Sequence, residues 1–197
     1  RRYEINLKRV KFVMEKAFNS SKLSLGRKAL YIFVTVSAAV IFPQIVHAAG
    51  VLTGTGAALG QALMPMYLPV ILLGFCAGPS AGAAAGVISP ILSYAISRMP
   101  AAALLPFMTA ELFCFGLFAG LIKNAKMNFA LKVLAVCLAG RFARIVITAA
   151  SVYIFGVGMS ALTMAVNAII AGIPGIVIQI LLVPIIVKKR RNPDYAK

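Results

Sequence analysis

The chain has 197 residues, of which 61% are hydrophobic, and carries 20 Lys and Arg against four Asp and Glu, a formal charge of +16. Ordinary globular domains are about 45–50% apolar, so this composition excludes a water-soluble domain and points to an integral membrane protein. The basic excess does not argue for nucleic acid: nine of the 20 basic residues precede Ala29 and five follow Val187, where the cytoplasmic flanks of membrane spans carry them.

In chain order, residues 1–28 form a basic segment in which Ile5, Val10, Val13, Met14 and Phe18 share one helical face, as in a helix lying on an anionic leaflet. A first span is predicted at 29–47, followed by a Gly-rich connection at 50–60. Its Gly54-Thr55-Gly56 is no phosphate loop, since no Lys-Ser/Thr follows and no strand precedes it; the connection reads as a flexible loop or a re-entrant cap over a site. Two apolar runs come next, 62–77 and 81–96, joined at Gly78-Pro79-Ser80. Neither has the polar face a soluble helix would need. Pro65 and Pro69 remove backbone donors and interrupt the first run. Gly78, Gly82 and Gly86, four residues apart, make a stripe without side chains on the second, which another helix can approach closely. Further spans are expected at 101–122, 129–155 and 160–187. The expected fold is all-α: a bundle of six transmembrane helices over 29–187, with a basic tail at 188–197. Lys and Arg crowd the N-terminus, the 123–132 connection and the C-terminus, whereas the connections near 48–60 and 156–159 carry none and the one near 98–100 only Arg98. That pattern puts both termini in the cytoplasm of a protein in the cell membrane.

Candidate chemistry is sparse. Glu111 is the one acidic residue inside a predicted span, and Arg141 and Arg144 fall at similar depth. A bare charge there is costly, so two compatible readings stand: a buried ion pair that holds the two spans together, and a polar site in which one arginine stays free for an anionic substrate group. His47, Gln61, Met64, Tyr67 and Asn167 lie toward the outer side and Arg98 at its rim. With Glu111 and Arg141 they make the expected substrate pocket, beneath the 50–60 connection. A rival location lies in the inner half, near Gln179 and Ser80. His47 is the only histidine and the cysteines, Cys76, Cys114 and Cys137, have no metal-ligand spacing, so neither a metal nor a cofactor is expected. Gly78-Pro79-Ser80-Ala81-Gly82 matches a nucleophile elbow and with His47 suggests an intramembrane serine protease. The two residues belong at opposite faces of a ~30 Å bilayer, beyond hydrogen-bond reach. No enzyme is expected.

Over 30–187 the chain resembles the substrate-binding S components of energy-coupling factor (ECF) vitamin transporters. The residues that carry the resemblance are Gly60-Gln61, Leu63-Met64-Pro65-Met66-Tyr67-Leu68-Pro69-Val70, Cys76-Ala77-Gly78-Pro79, Gly82 with Gly86, Ser89-Pro90, Met99-Pro100, Glu111, Gly140-Arg141, and Pro174-Gly175-Ile176 with Gln179 and Pro184. The resemblance implies a six-helix binder of a vitamin or precursor that works with a transmembrane T subunit and two ABC ATPases. Related members often have a histidine at the Tyr67 position and usually an Ala-x-x-x-Ala contact for the T subunit in span 1. Here that span has Ser37-Ala38-Ala39 instead. Ser37, Ala38 and the Gly78, Gly82 and Gly86 stripe are the expected docking faces. The other reading is a self-contained carrier that couples transport to protons through Glu111.

Overall fold

The computed structural model describes residues 24–155 and 160–191. The regular elements among them are all helical: α1 (Leu25–Leu52), α2 (Ala57–Leu63), α3 (Tyr67–Ala77), α4 (Pro79–Ser97), a 3-10 turn (Ala102–Leu104), α5 (Leu105–Ile122), α6 (Phe129–Phe155), α7 (Ser160–Ala171) and α8 (Ile173–Arg191). Five stretches of the described residues are long and apolar enough to cross a membrane: Leu25–Leu52, Ala58–Ala77, Pro79–Ser97, Ala102–Ile122 and Phe129–Ile154. The apolar part of α8, Ile173–Val187, is shorter. Large apolar side chains face outward along these helices, among them Phe33, Phe42 and Ile45 on α1 and Leu138, Phe142 and Ile154 on α6. In water that surface would be untenable; in a bilayer it is the ordinary lipid-facing exterior. Residues 1–23 of the expected amphipathic segment lie outside the described residues. So do residues 192–197, and α8 carries the helix on to Arg191.

The breaks between helices follow from particular residues. The αR region is disfavoured for a residue that precedes proline, and Met64, before Pro65, turns into the left-handed region at φ 47°. The helix therefore stops at Leu63 and restarts at Tyr67, so Pro65 interrupts the run as expected, whereas Pro69 does not: it falls in the first turn of α3, where its missing donor is not needed. Gly78, at φ 97°, makes the turn into α4, where Pro79 takes the first helical position.

Two expectations are corrected by the packing. The stripe of Gly82 and Gly86 is an internal seam. A side chain on Gly82 would collide with the Gly116 carbonyl, one on Gly116 with the Gly82 carbonyl, and one on Gly86 with the Leu112 carbonyl. Gly120 meets Gly78 and Pro79 in the same way. α4 and α5 are thus antiparallel and in backbone contact, and the stripe is consumed within the chain instead of offered to a partner. The second correction concerns the 50–60 connection. Most of it is helical, in the last turn of α1 and the first of α2, leaving residues 53–56 as a tight turn closed by Gly56 N–H on the Gly50 carbonyl at 2.9 Å. Of the two forms expected for this connection, the long flexible loop is not there.

α1 runs parallel to α4. Val36 and Val40 pack with Leu73, Ala77, Ala81 and Ala85, and the Gln44 amide donates to Ser97 Oγ at 2.8 Å. One end of the bundle is therefore marked by His47, Ser97 and Arg98. The opposite end is marked by Lys28 and Lys123, where the Lys132 ammonium donates to the Lys123 carbonyl at 2.9 Å. Partial burial, and then the nearby Lys28, lower the pKa of Lys123.

Candidate functional site: a buried, positively charged cluster between two broken helices

Restarting the helix at Tyr67 turns that ring into the core, where it meets Phe115 edge-on at a centroid distance of 5.0 Å. Its hydroxyl donates to Glu111 Oε2 at 2.6 Å. Arg141 and Arg144, three residues apart and so on one face of α6, close around the same carboxylate. Arg141 Nη1 lies 2.7 Å from Oε1 and Arg144 Nη1 2.9 Å from Oε2. Glu111 is 0% exposed, Arg141 5% and Arg144 7%. Glu111 stands eleven residues from Ile122 and Arg141 twelve from Phe129, or ~16 and ~18 Å along their helices at 1.5 Å per residue. Both depths are near the middle of a ~30 Å hydrocarbon layer.

A second interruption faces the first. The expected last span, 160–187, is two helices that part at Gly172. A side chain at Gly172 would run into Met64 Cε and Arg141 Nη2, and one at Gly175 into the carbonyls of Ala62 and Leu63. The α7–α8 break is thus pressed against the α2–α3 break, with Arg141 between them. Arg141 Nη2 also points at Met64 Sδ, and its guanidinium lies 5.8 Å from the Tyr67 ring centroid. One turn along α6, Cys137 Sγ donates to Gln179 Oε1 of α8 at 3.4 Å.

The charges in this cluster do not balance. Glu111 is the only acidic residue between Glu15 and Asp194, and it faces two guanidinium groups, leaving one positive charge over. Among the described residues, three buried donors there find no hydrogen-bond partner: Arg141 Nε, Arg144 Nε and Gln179 Nε2. No family model, curated protein or solved structure matches this chain. The site therefore has to be read from its own chemistry.

Of the expected pocket residues, Met64, Tyr67, Glu111 and Arg141 converge. The others stand apart from this cluster: Gln61, Arg98 and Asn167 are exposed and His47 is half-buried. Arg98 lies over the Tyr94 ring at 5.6 Å. Of the two readings of these charges, the buried ion pair is what the structure contains and an arginine standing outside it is not, since both arginines hold Glu111; what remains without a partner is the Nε of each. Arg144 and Gln179 belong to the cluster although the expected pocket omitted them. The three-residue spacing of Arg141 and Arg144 was the available signal for the first. For Gln179 the only signal was an amide in an apolar span. Ser80 and His47 do not meet. Ser80 is in the first turn of α4, whose far end, seventeen residues on, packs by α1 one turn from His47, a separation of ~25 Å. Among the described residues no three His, Cys, Asp or Glu side chains form a group that could hold a metal.

Proposed function

We propose that this chain is the membrane-embedded substrate-binding subunit of an ECF-type importer. It takes a small water-soluble vitamin or precursor from outside and passes it to a transmembrane T subunit driven by two ABC ATPases. In this reading α7 and α8 together make the sixth span, both termini are cytoplasmic, and the His47 end faces outward. The observation that carries it is the meeting of two broken helices on the buried Arg141–Glu111 pair at mid-depth. Interrupted helices expose backbone groups that a continuous helix hides, and in membrane proteins such backbone is tolerated where it lines a binding site. With Gly82 and Gly86 consumed by the α4–α5 seam, docking falls to α1. That helix is the least enclosed of the five long spans, and half-buried Ser37 and Ala38 give it a local small-residue surface.

Broken helices at mid-depth also characterise self-contained secondary carriers, so that reading is retained. One experiment separates the two: affinity purification from its own membranes, with mass spectrometry of the proteins and small molecules that come with it. The importer reading requires a T subunit and ATPases in the complex and uptake that stops when ATP is exhausted. Uptake by this chain alone, driven by a proton gradient, would establish the carrier instead.

A further inference from the structure

We propose that the solute held at this site is a monocarboxylate, its acid group bound by the unpartnered Nε–H groups of Arg141 and Arg144. The inference rests on the binding-subunit reading above and goes further by naming the chemistry of the ligand. Two guanidiniums and one carboxylate, all at least nine-tenths buried, leave a single positive charge in a medium where an unbalanced charge is expensive. The bundle cannot supply the missing anion, because its spans contain no second acid: the remaining ones are Glu4, Glu15 and Asp194, in the terminal segments. Each arginine uses one Nη on Glu111 and leaves its Nε with no partner. An Nε–H of a guanidinium is a charge-assisted donor that a carboxylate oxygen accepts, and at Arg141 it is the one donor nitrogen left, since Nη2 is turned to Met64 Sδ. A single charge on the ligand brings the site to neutrality; a dianion such as a phosphate monoester would overshoot it. Gln179 Nε2, also buried and without a partner, adds a neutral donor on the α8 side for a second polar group of the same molecule. Glu111 then acts as a spacer: it fixes both guanidiniums and cancels only one of them.

The test uses the full chain purified in detergent and freed of co-purifying small molecules. Its melting temperature is measured with acetate, propionate and benzoate against their amides, acetamide, propionamide and benzamide, at constant sodium chloride. At least one acid is expected to raise the melting temperature where its amide does not. In Arg144→Gln, which leaves a balanced Glu111–Arg141 pair, the affinity for that acid is expected to fall about tenfold or more, the worth of a charge-assisted hydrogen bond. Shifts no larger for any acid than for its amide overturn the proposal. So does an equal stabilisation by added chloride, which would make the site one for a bare inorganic ion, or full retention of acid binding in Arg144→Gln. Failure of the importer reading looks different: acids still bind with the expected selectivity, and no ATPase co-purifies.

Discussion

Glu111→Gln is the sharpest perturbation available, because the cluster makes its effect unequal to that of its partners. In the native chain the carboxylate accepts from Tyr67, Arg141 and Arg144 and is 0% exposed. Replacing it with an amide leaves two guanidiniums, drawn to one point by a group that no longer attracts them, and raises the buried charge from +1 to +2. Breaking a buried pair from one side costs roughly 3–5 kcal/mol. At about 2–4 °C per kcal/mol for a chain of this size, the melting temperature should drop by roughly 6–20 °C. Arg144→Gln does the reverse, reducing the buried charge to zero while Glu111 keeps Arg141 and Tyr67. Its loss should be less than half that of Glu111→Gln. The double variant returns the net charge to +1 and should recover part of the stability lost by Glu111→Gln alone. The assay is thermal unfolding of the detergent-solubilised protein, followed by a fluorescent thiol probe or by loss of a monodisperse elution peak. Equal losses in the two single variants, or strictly additive losses in the double, would refute the charge argument.

Tyr67→Phe keeps the edge contact with Phe115 and removes only the hydroxyl, so about 1.5–3 kcal/mol should be lost in the same unfolding assay; no change would mean that the hydroxyl is not needed by Glu111. Gly82→Leu should abolish folding and ligand binding together, because its side chain would meet the α5 backbone, which cannot yield; a well-folded variant defective only in partner assembly would return the stripe to a docking role. Gly172→Ala meets the far ends of two flexible side chains, Met64 and Arg141, so binding of the co-purifying solute should weaken with little loss of yield, and equal affinity would show that the break does not shape the site. Lys123 is held below the ordinary lysine pKa by burial and Lys28. Keeping it protonated therefore opposes folding at neutral pH, and that penalty is relieved as the pH rises through the lowered pKa. Lys123→Met should flatten any rise in melting temperature between neutral pH and pH ~10, and an unaltered slope would contradict the assignment.

Much of the architecture could be read from the residues, because the signals were local. Unbroken apolar runs gave the long helices, Pro65 the interruption before Tyr67, and Gly78-Pro79 the turn into α4. A lone Glu111 in an apolar span demanded a cation, and the sequence held two at its depth. What could not be read was which surfaces meet. A glycine stripe says that something approaches closely; only the matching Gly116 and Gly120, on a helix whose register was unknown, show that the neighbour is α5. The outer polar residues were grouped by depth alone, and depth does not fix rotation about the helix axis. Gln61 and Asn167 accordingly turn outward, while Gln179 turns in. The break at Gly172 was missed because glycine is common in membrane helices and leaves the hydropathy of the run unchanged.

The α4–α5 seam has a consequence for how such a chain can change over generations. Where backbone lies on backbone, a side chain gained on one helix cannot be answered by a smaller one opposite, since none is smaller than glycine. Gly82, Gly86, Gly116 and Gly120 are therefore fixed as a set, whereas the lipid-facing residues of α1 and α6 need only stay apolar. Descendants of this fold could exchange most of their letters and still keep the four-residue spacing of the seam. Kinship among them would then be recorded in the intervals between small residues more durably than in the residues themselves.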